Sequence, residues 1–402
     1  MKLIDRPYYL NKLVGALGTP DIKVITGIRR SGKSKLIEAL SDHIKENEPS
    51  AQIIHINFNL LAFEFLTEYH ALHRYIEDHL VEGARNIVLI DEVQMCEGFE
   101  KAINSLHASE KYDIFITGSN AFLLSSDLAT LFTGRTFEIE VFPFSLEEFA
   151  RYYEITDPDE AFGRYQREGG MPGSYLYADE HARYTYLSDV LNMLILRDIK
   201  QKHRIRGAEQ LERTCDFLMD NIGNVTSLRN ISAGLAAAGF AVSDKTLAAY
   251  LNHLCAAFAF HRVRRYDISG KKYLSSGDKY YLADHSFRYA MLGTKKLDYG
   301  RVYENIVAME LTRRGWELYV GVLYQKEIDF VAVRRDERVY IQVSDDISQQ
   351  STFERELSPL LKIADAYPKV IIARTKHETT VYDGVKIIDI ARWLMGNSPE
   401  LS

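Results

Sequence analysis

Long apolar runs are missing from this sequence. No stretch of 18 or more apolar residues occurs, so no membrane span is expected. The opening residues, Met1 to Pro7, hold no apolar run of signal-peptide length. Cysteine is scarce, with only Cys96, Cys215 and Cys255. An odd and widely spaced set gives neither a disulfide framework nor metal-ligand spacing, and a reducing cytoplasm fits it best. An excess of positive charge is missing too: 49 Lys and Arg stand against 56 Asp and Glu, a net charge of −7. Any nucleic-acid surface is therefore a local patch and not a global field. There is no low-complexity linker, so the domains are expected to pack together. The 12 histidines show no metal spacing. His70 and His73 are three apart on an expected helix, but no third ligand accompanies them.

What is present is an ordinary globular balance, 46% hydrophobic and 26% charged over 402 residues, enough for two or three domains. The first 145 residues alternate between short β-branched runs and helical stretches. Strands are expected at Lys23 to Thr26, Ile53 to Phe58, Ile87 to Ile90, Ile114 to Thr117 and Thr136 to Val141. The first four are nearly continuous apolar runs, as for parallel strands covered on both faces. The intervals are long enough for crossover helices. From Pro143 to Arg206 the pattern is helical, interrupted at Gly169-Gly170-Met171-Pro172-Gly173, a turn or hinge by its chemistry. Residues 209–285 read as three helices and a hairpin around Ile268-Ser269-Gly270, with Ser243 capping a helix that buries Leu247, Tyr250, Leu251 and Leu254. An α/β texture returns from Gly300: a helix from Tyr303 to Arg314, strands at Glu327 to Val333 and Arg338 to Val343, then a helix and a strand ending near Ala373.

The segment Gly27-Ile28-Arg29-Arg30-Ser31-Gly32-Lys33-Ser34 has the spacing of a phosphate-binding loop between a strand and a helix. Its glycines let backbone N–H groups wrap phosphates, Lys33 neutralises their charge, and Ser34 offers a hydroxyl to Mg²⁺. Arg29, Arg30, Ser31 and Lys35 complete the expected ATP-contacting stretch, although Arg29 and Arg30 sit at variable positions of the loop where solvated exposure is the expectation that leads. Ile87-Val88-Leu89-Ile90 carries Asp91 and Glu92 to a strand end, where open α/β sheets bind ligands. Asp91 is expected to hold Mg²⁺ and Glu92 to polarise the attacking water. The strand Ile114 to Thr117 ends in Gly118-Ser119-Asn120 and can lie between these two elements, where Ser119 or Asn120 would sense the γ-phosphate. Arg135 follows Gly134 on a turn, from which it could reach a phosphate in its own subunit or in a neighbour's. Arg6, Tyr8 and Tyr9 are the natural candidates to hold the adenine.

Taken together these residues resemble prokaryotic ATPases of the AAA superfamily, the archaeal-type ATPase group, which carry a C-terminal domain similar to restriction-endonuclease folds. The resemblance covers nearly the whole chain. It rests on Gly27 to Ser34, Leu89 to Gln94, Ile116 to Asn120, Gly134-Arg135, Phe142 to Phe149, Gly169 to Pro172, Leu196 to Ile199, Lys279 to Asp284, Tyr303-Glu304-Asn305 and Glu327 to Phe330. It implies an α/β fold class: a P-loop AAA-type ATPase core with a parallel sheet over residues 1–145, a helical lid-like region over 146–206, a winged-helix domain over 207–290, and a nuclease-like α/β domain over 296–396.

The middle region is locally basic, with Arg197, Lys200, Lys202, Arg204 and Arg206 in one run and Arg262, Arg264, Arg265, Lys271 and Lys272 flanking the hairpin. Such a winged helix could track DNA phosphates, or it could serve as a protein-contact module or a homo-oligomer surface. In the terminal domain Glu304, Asp329 and Gln342 fall where a nuclease site would stand. Gln342 supplies no second negative charge and Ser344 no lysine; Lys326 would have to be recruited, and Glu354 and Glu356 read equally as surface acids. A scaffold that no longer cleaves is therefore expected. The reading is a cytoplasmic Mg-dependent ATPase switch using ATP and Mg²⁺, coupled to a DNA or protein partner. Its alternatives are an ATP-driven nuclease and a nucleotide-gated module that does not turn over.

Overall fold

The structure, a computed structural model, describes residues 4–118, 132, 134–205, 207–274, 277–294, 298–396 and 401, and only the main chain of residues 196 and 197. Expectations placed on Ser119, Asn120 and Arg206, and on the Arg197 side chain, lie outside the described residues.

Five parallel strands form the first sheet: β1 (Ile22–Thr26), β2 (Gln52–Asn57), β3 (Asn86–Asp91), β4 (Tyr112–Thr117) and β5 (Thr136–Glu140), in the order β2-β3-β4-β1-β5. The strand period of two decides what covers each face. Val24, Val88, Ile90 and Ile116 pack with helices Tyr69–Asp78 and Phe99–Ala108. Ile25, Ile87, Leu89 and Phe115 pack with helices Pro7–Gly15 and Lys33–Asn47 on the other side. β1 and β3 are buried throughout, as continuous apolar runs require. β2 departs from that expectation. It lies at the sheet edge, and only Ile54 and Ile56 are buried along it.

Helix Leu146–Tyr153 begins with a capping box between Ser145 and Glu148. Helices Pro158–Glu168 and Glu180–Met193 follow, the latter continuing as a π-helical stretch, Leu194–Gln201. The glycine cluster between them is a turn gripped from two sides, not a loose hinge. Phe144 N–H donates to Gly170 O at 2.7 Å, and Gly170 N–H donates to Asp284 Oδ2 at 2.5 Å. A Cβ on Gly170 would stand 2.4 Å from Phe144 O, so only glycine fits there.

Three helices come next, Ala208–Asp220, Leu228–Ala237 and Asp244–Ala256, with Leu247, Tyr250, Leu251 and Leu254 buried as their spacing requires. β6 (Phe260–Asp267) pairs antiparallel with β7 (Lys272–Tyr273) at one end and with β8 (Lys279–Leu282) at the other. β6 also runs parallel to β9 (Glu317–Leu323), so the hairpin is an extension of the terminal sheet. β10 (Lys326–Arg334), β11 (Glu337–Ser344), β12 (Lys369–Ala373), β13 (Thr380–Tyr382) and β14 (Val385–Asp389) complete that sheet, in the order β13-β14-β12-β11-β10-β9-β6-β7. Helices Tyr299–Arg313 and Gln350–Leu361 cover it. Among the described residues, no helix is long and apolar enough to cross a membrane.

Candidate functional site

The loop between β1 and helix Lys33–Asn47 is shaped by two glycines in positive-φ conformations, Gly27 (φ 126°) and Gly32 (φ 103°). Any side chain at Gly27 would meet Val141 O at 2.2 Å. Gly32 occupies the N-cap, and no side chain caps the helix. Its first N–H groups and the positive end of its dipole therefore face the loop, the arrangement that binds anions.

Lys33 is buried, and its Nζ donates to Gly27 O at 2.7 Å and Ile28 O at 3.0 Å. Burial pushes its ammonium down to about 8, against the pull of the Glu92 and Asp91 carboxylates. Asp91 ends β3 fully buried. One of its oxygens accepts from Thr117 Oγ1; the other, Oδ2, is buried and has no hydrogen-bond partner among the described residues. A buried carboxylate oxygen left bare is costly, and a cation or a further donor would satisfy it. Glu92 sits in the left-handed region (φ 59°), where a non-glycine residue stores strain. Its N–H donates to Thr117 Oγ1 at 3.2 Å, and its carboxylate accepts from Gln94 Nε2. β4 lies between β3 and β1, so Thr117 reaches both acids from the neighbouring strand.

A cleft of about 780 Å³ opens over the loop. It is lined by Arg29, Arg30, Gly32, Lys33, Ser34, Lys35 and Glu92 on the sheet side, and by the 172–177 turn, Tyr186, Asp198 and Gln201 on the helical side. Arg29 is not simply solvated: its Nη1 meets Asp198 of the π-helical stretch at 3.4 Å. Arg30 is exposed, and Lys35 pairs with Glu38 on the surface.

The N-terminal segment does something other than expected. Arg6 is buried, and its guanidinium donates to Ser31 O at 3.0 Å, to Phe142 O at 2.9 Å, and to both oxygens of Glu148 at 2.8 and 2.9 Å. Tyr9 is buried, with its hydroxyl accepting from Phe142 N–H. Tyr8 donates to Arg313 O. All three are committed to holding the loop's surroundings, and none lines the cleft. Arg135 is also away from it. Ile22 N–H donates to its carbonyl, so it stands beside the start of β1 while the loop leaves the end. The five residues of β1 span about 16 Å. Contact with a phosphate of its own subunit is therefore out of reach.

In the terminal domain Glu304, Asp329 and Gln342 lie near one another. Asp329 N–H donates to Gln342 Oε1 at 2.7 Å, and Gln342 Nε2 donates to Glu356 Oε2 at 2.9 Å. A lysine enters this cluster from β8. Lys279, 2% exposed, reaches Glu304 at 2.7 Å, Glu327 at 2.6 Å and Asp329 at 3.8 Å. Burial alone would lower its ammonium, but the Glu304, Asp329 and Glu327 carboxylates override it and hold the charge. Burial, then the Glu304 charge, pushes Asp329 up to about 8 against Lys279. Lys326 is not recruited; it donates to Ser358 Oγ. Glu356 is buried and so is no surface acid, while Glu354 is exposed. No group of three or more potential ligands arranged to hold a metal occurs among the described residues.

In the basic hairpin, Arg262 is tied to Asp278 at 2.6 Å and Arg264 lies over Tyr273. Lys271 and Lys272 are exposed.

Comparison with known proteins matches residues 19–150 to the AAA domain and residues 159–298 to a domain of unknown function. An uncharacterized protein of Haemophilus influenzae is 36% identical over 399 residues, 98% of this chain and 99% of its own. One of Methanocaldococcus jannaschii is 27% identical over 369 residues, 87% of this chain and 78% of its own. Among solved structures, the Aeropyrum pernix ORC1 protein in complex with DNA is 12% identical with a TM-score of 0.31, covering 78% of this chain and 94% of that one; a likeness of that size carries no argument.

Proposed function

Because this chain belongs to one family with the Haemophilus influenzae protein and carries an AAA domain at residues 19–150, a P-loop AAA-type ATPase, we propose that it is a Mg-dependent ATP hydrolase acting as a conformational switch. The observation that carries the proposal is the bare, buried Oδ2 of Asp91 beside the lysine-bearing loop.

In this reading the helix N-terminus and the loop N–H groups hold the β- and γ-phosphates. Lys33 exchanges two neutral carbonyl partners for charged phosphate oxygens, a stronger pairing that returns its ammonium toward the usual lysine range. Ser34 and Asp91 would hold Mg²⁺, whose charge neutralises the phosphates. Glu92 orients and polarises water once Gln94 releases it, and Thr117 fixes both acids at their strand ends. Arg135 is assigned to a neighbouring subunit's phosphates, the second of its two expected roles. Asn120 keeps its proposed role as γ-phosphate sensor.

For the switch, residues 1–145 serve as the ATPase core and 146–206 as its lid. The 207–290 unit, read as winged-helix-like, and the 296–396 unit, read as nuclease-like, move together, because β6 and β9 share one sheet. Asp198 against Arg29 and Asp284 against Gly170 are the contacts through which loop and lid would signal. Lys271 and Lys272 are the residues through which DNA would be felt. Cleavage of DNA is not proposed, since Gln342 stands where a metal would need a further carboxylate.

Turnover decides the matter. Wild type should hydrolyse ATP only with Mg²⁺, and Glu92→Gln should bind ATP while losing at least a hundredfold in rate, the scale of a lost acid–base group. Equal turnover by Glu92→Gln would refute the hydrolytic reading. Stimulation by duplex DNA that declines with salt would support the DNA partner; no stimulation would leave a protein partner as the reading.

A further inference from the structure

We propose that Tyr177 and Tyr186 form the platform on which the base of the bound nucleotide stacks, so that the lid side of the cleft, not the N-terminal segment, holds the base. The inference rests on the phosphate-loop reading of the same cleft.

The argument begins with elimination. The aromatic residues preceding the loop are spent: Tyr9 is buried under Arg6, and Tyr8 is bonded to Arg313 O. The sheet wall of the cleft is mostly polar and charged, with Met95 its apolar member, suited to phosphates and offering no ring for a base among the described residues. The opposite wall carries, among the described residues, the only aromatic side chains that line the cleft, Tyr177 and Tyr186.

These two rings are organised as a pair, with centroids 5.5 Å apart and planes inclined by 34°. Tyr177 is 41% exposed, which leaves its ring open to a ligand in the cleft. Tyr186 stands behind it, and its position depends on a glycine: a Cβ on Gly173 would come within 1.9 Å of the Tyr186 hydroxyl. The pair also belongs to the loop's neighbourhood, since the Arg30 guanidinium acts on the Tyr186 phenol, partly offsetting the upward push of burial. Leu176, 55% exposed beside the pair, adds apolar surface at the cleft wall. A volume of about 780 Å³ falls in the range of small-molecule sites, which combine an apolar or aromatic wall with a few placed polar groups. Stacking on tyrosine tolerates any base, because every base has a π-face. The platform therefore favours nucleoside triphosphates over inorganic phosphates, and discriminates weakly among bases.

The experiment compares two probes, Mg-ATP and Mg-tripolyphosphate, titrated calorimetrically into wild type, Tyr177→Ala and Tyr177→Phe. Tyr177→Ala should weaken ATP about tenfold, in keeping with the loss of one base–aromatic stack, and leave tripolyphosphate within twofold. Tyr177→Phe should bind both as wild type does. In wild type, 2-aminopurine riboside triphosphate should lose fluorescence on binding, as a stacked base does. Unchanged ATP affinity in Tyr177→Ala, an equal loss for both probes, or an unquenched 2-aminopurine signal would overturn the proposal. If wild type bound neither probe, the phosphate-loop reading itself would fall, and the platform with it.

Discussion

Replacing Arg6 with alanine tests how the phosphate loop is held. Arg6 is 8% exposed, and its partners come from three places: Ser31 of the loop, Phe142 after β5, and Glu148 in the next helix. Its guanidinium also lies over the Tyr9 ring at 4.4 Å. Truncation leaves Glu148, 7% exposed, without its countercharge. Breaking a buried pair in this way costs about 3–5 kcal/mol, a large part of the roughly 5–15 kcal/mol that holds a domain folded. Most of the loss comes from the stranded carboxylate, so Arg6→Ala/Glu148→Gln should recover stability over Arg6→Ala alone. The pH dependence has a definite sign. Burial raises the Glu148 carboxyl, but the Arg6 charge and hydrogen bonds outweigh it and hold the group below its usual range. That stabilisation is present above the unfolded carboxylate pKa and is lost as pH falls through the lower folded value. In Arg6→Ala the strongest influences against burial are gone and only the Arg313 charge and the Ser145 N–H still favour the carboxylate, so the deficit relative to wild type is largest at neutral pH and shrinks on acidification. Urea unfolding of the full chain from pH 4 to 8, followed by far-UV circular dichroism, measures it. A deficit below about 1 kcal/mol, the scale of an exposed pair, or no recovery in the double variant, would refute the reasoning.

Thr117→Val removes the hydroxyl that bridges Asp91 and the Glu92 N–H; turnover should fall about tenfold or more with ATP affinity nearly kept, by steady-state kinetics against binding. Arg135→Ala should lose turnover alone but regain part of it when mixed with Lys33→Ala, because each supplies what the other lacks; mixtures no more active than their components would exclude action across an interface. Lys279→Met strands Glu304, Glu327 and Asp329, and should cost about 3–5 kcal/mol near pH 8. Protonation of those acids relieves the loss, so it should diminish by pH 5 in the same unfolding measurement. Gly170→Ala drives a methyl toward Phe144 O and Asp284; it should lower the unfolding midpoint by more than the few tenths of a kcal/mol typical of a surface change.

What could be read from the sequence was what is local. The phosphate loop is eight consecutive residues with its strand and helix on either side, and buried parallel strands announce themselves as apolar runs. The long-range partners carry no such mark. Arg6 and Glu148 are separated by 142 residues, and Lys279 reaches Glu304 from a different strand than the motif led one to expect. Thr117 was visible at the end of its strand, but only the order β3-β4-β1 brings it beside Asp91. β9 was missed because Gly321 interrupts its pattern. The glycine is there for packing: a Cβ would approach the Ile328 Cβ to 2.8 Å, next to the register shift in β10. β13 and β14 had a legible sign that went unused, the Asp383-Gly384 turn, both residues at positive φ as a two-residue hairpin requires. Tyr177 and Tyr186 lay in a stretch that looked only helical, and folding is what turns them toward the loop's cleft.

The most direct test is the equilibrium affinity for Mg-ATP of the wild-type protein and of Lys33→Ala, measured side by side by calorimetry. The account predicts saturable one-to-one binding by wild type and a loss of at least a hundredfold in Lys33→Ala, because a buried ammonium facing phosphates is worth well over the ~2.7 kcal/mol that this ratio represents. Equal affinities in the two proteins, or no binding by wild type, would contradict it.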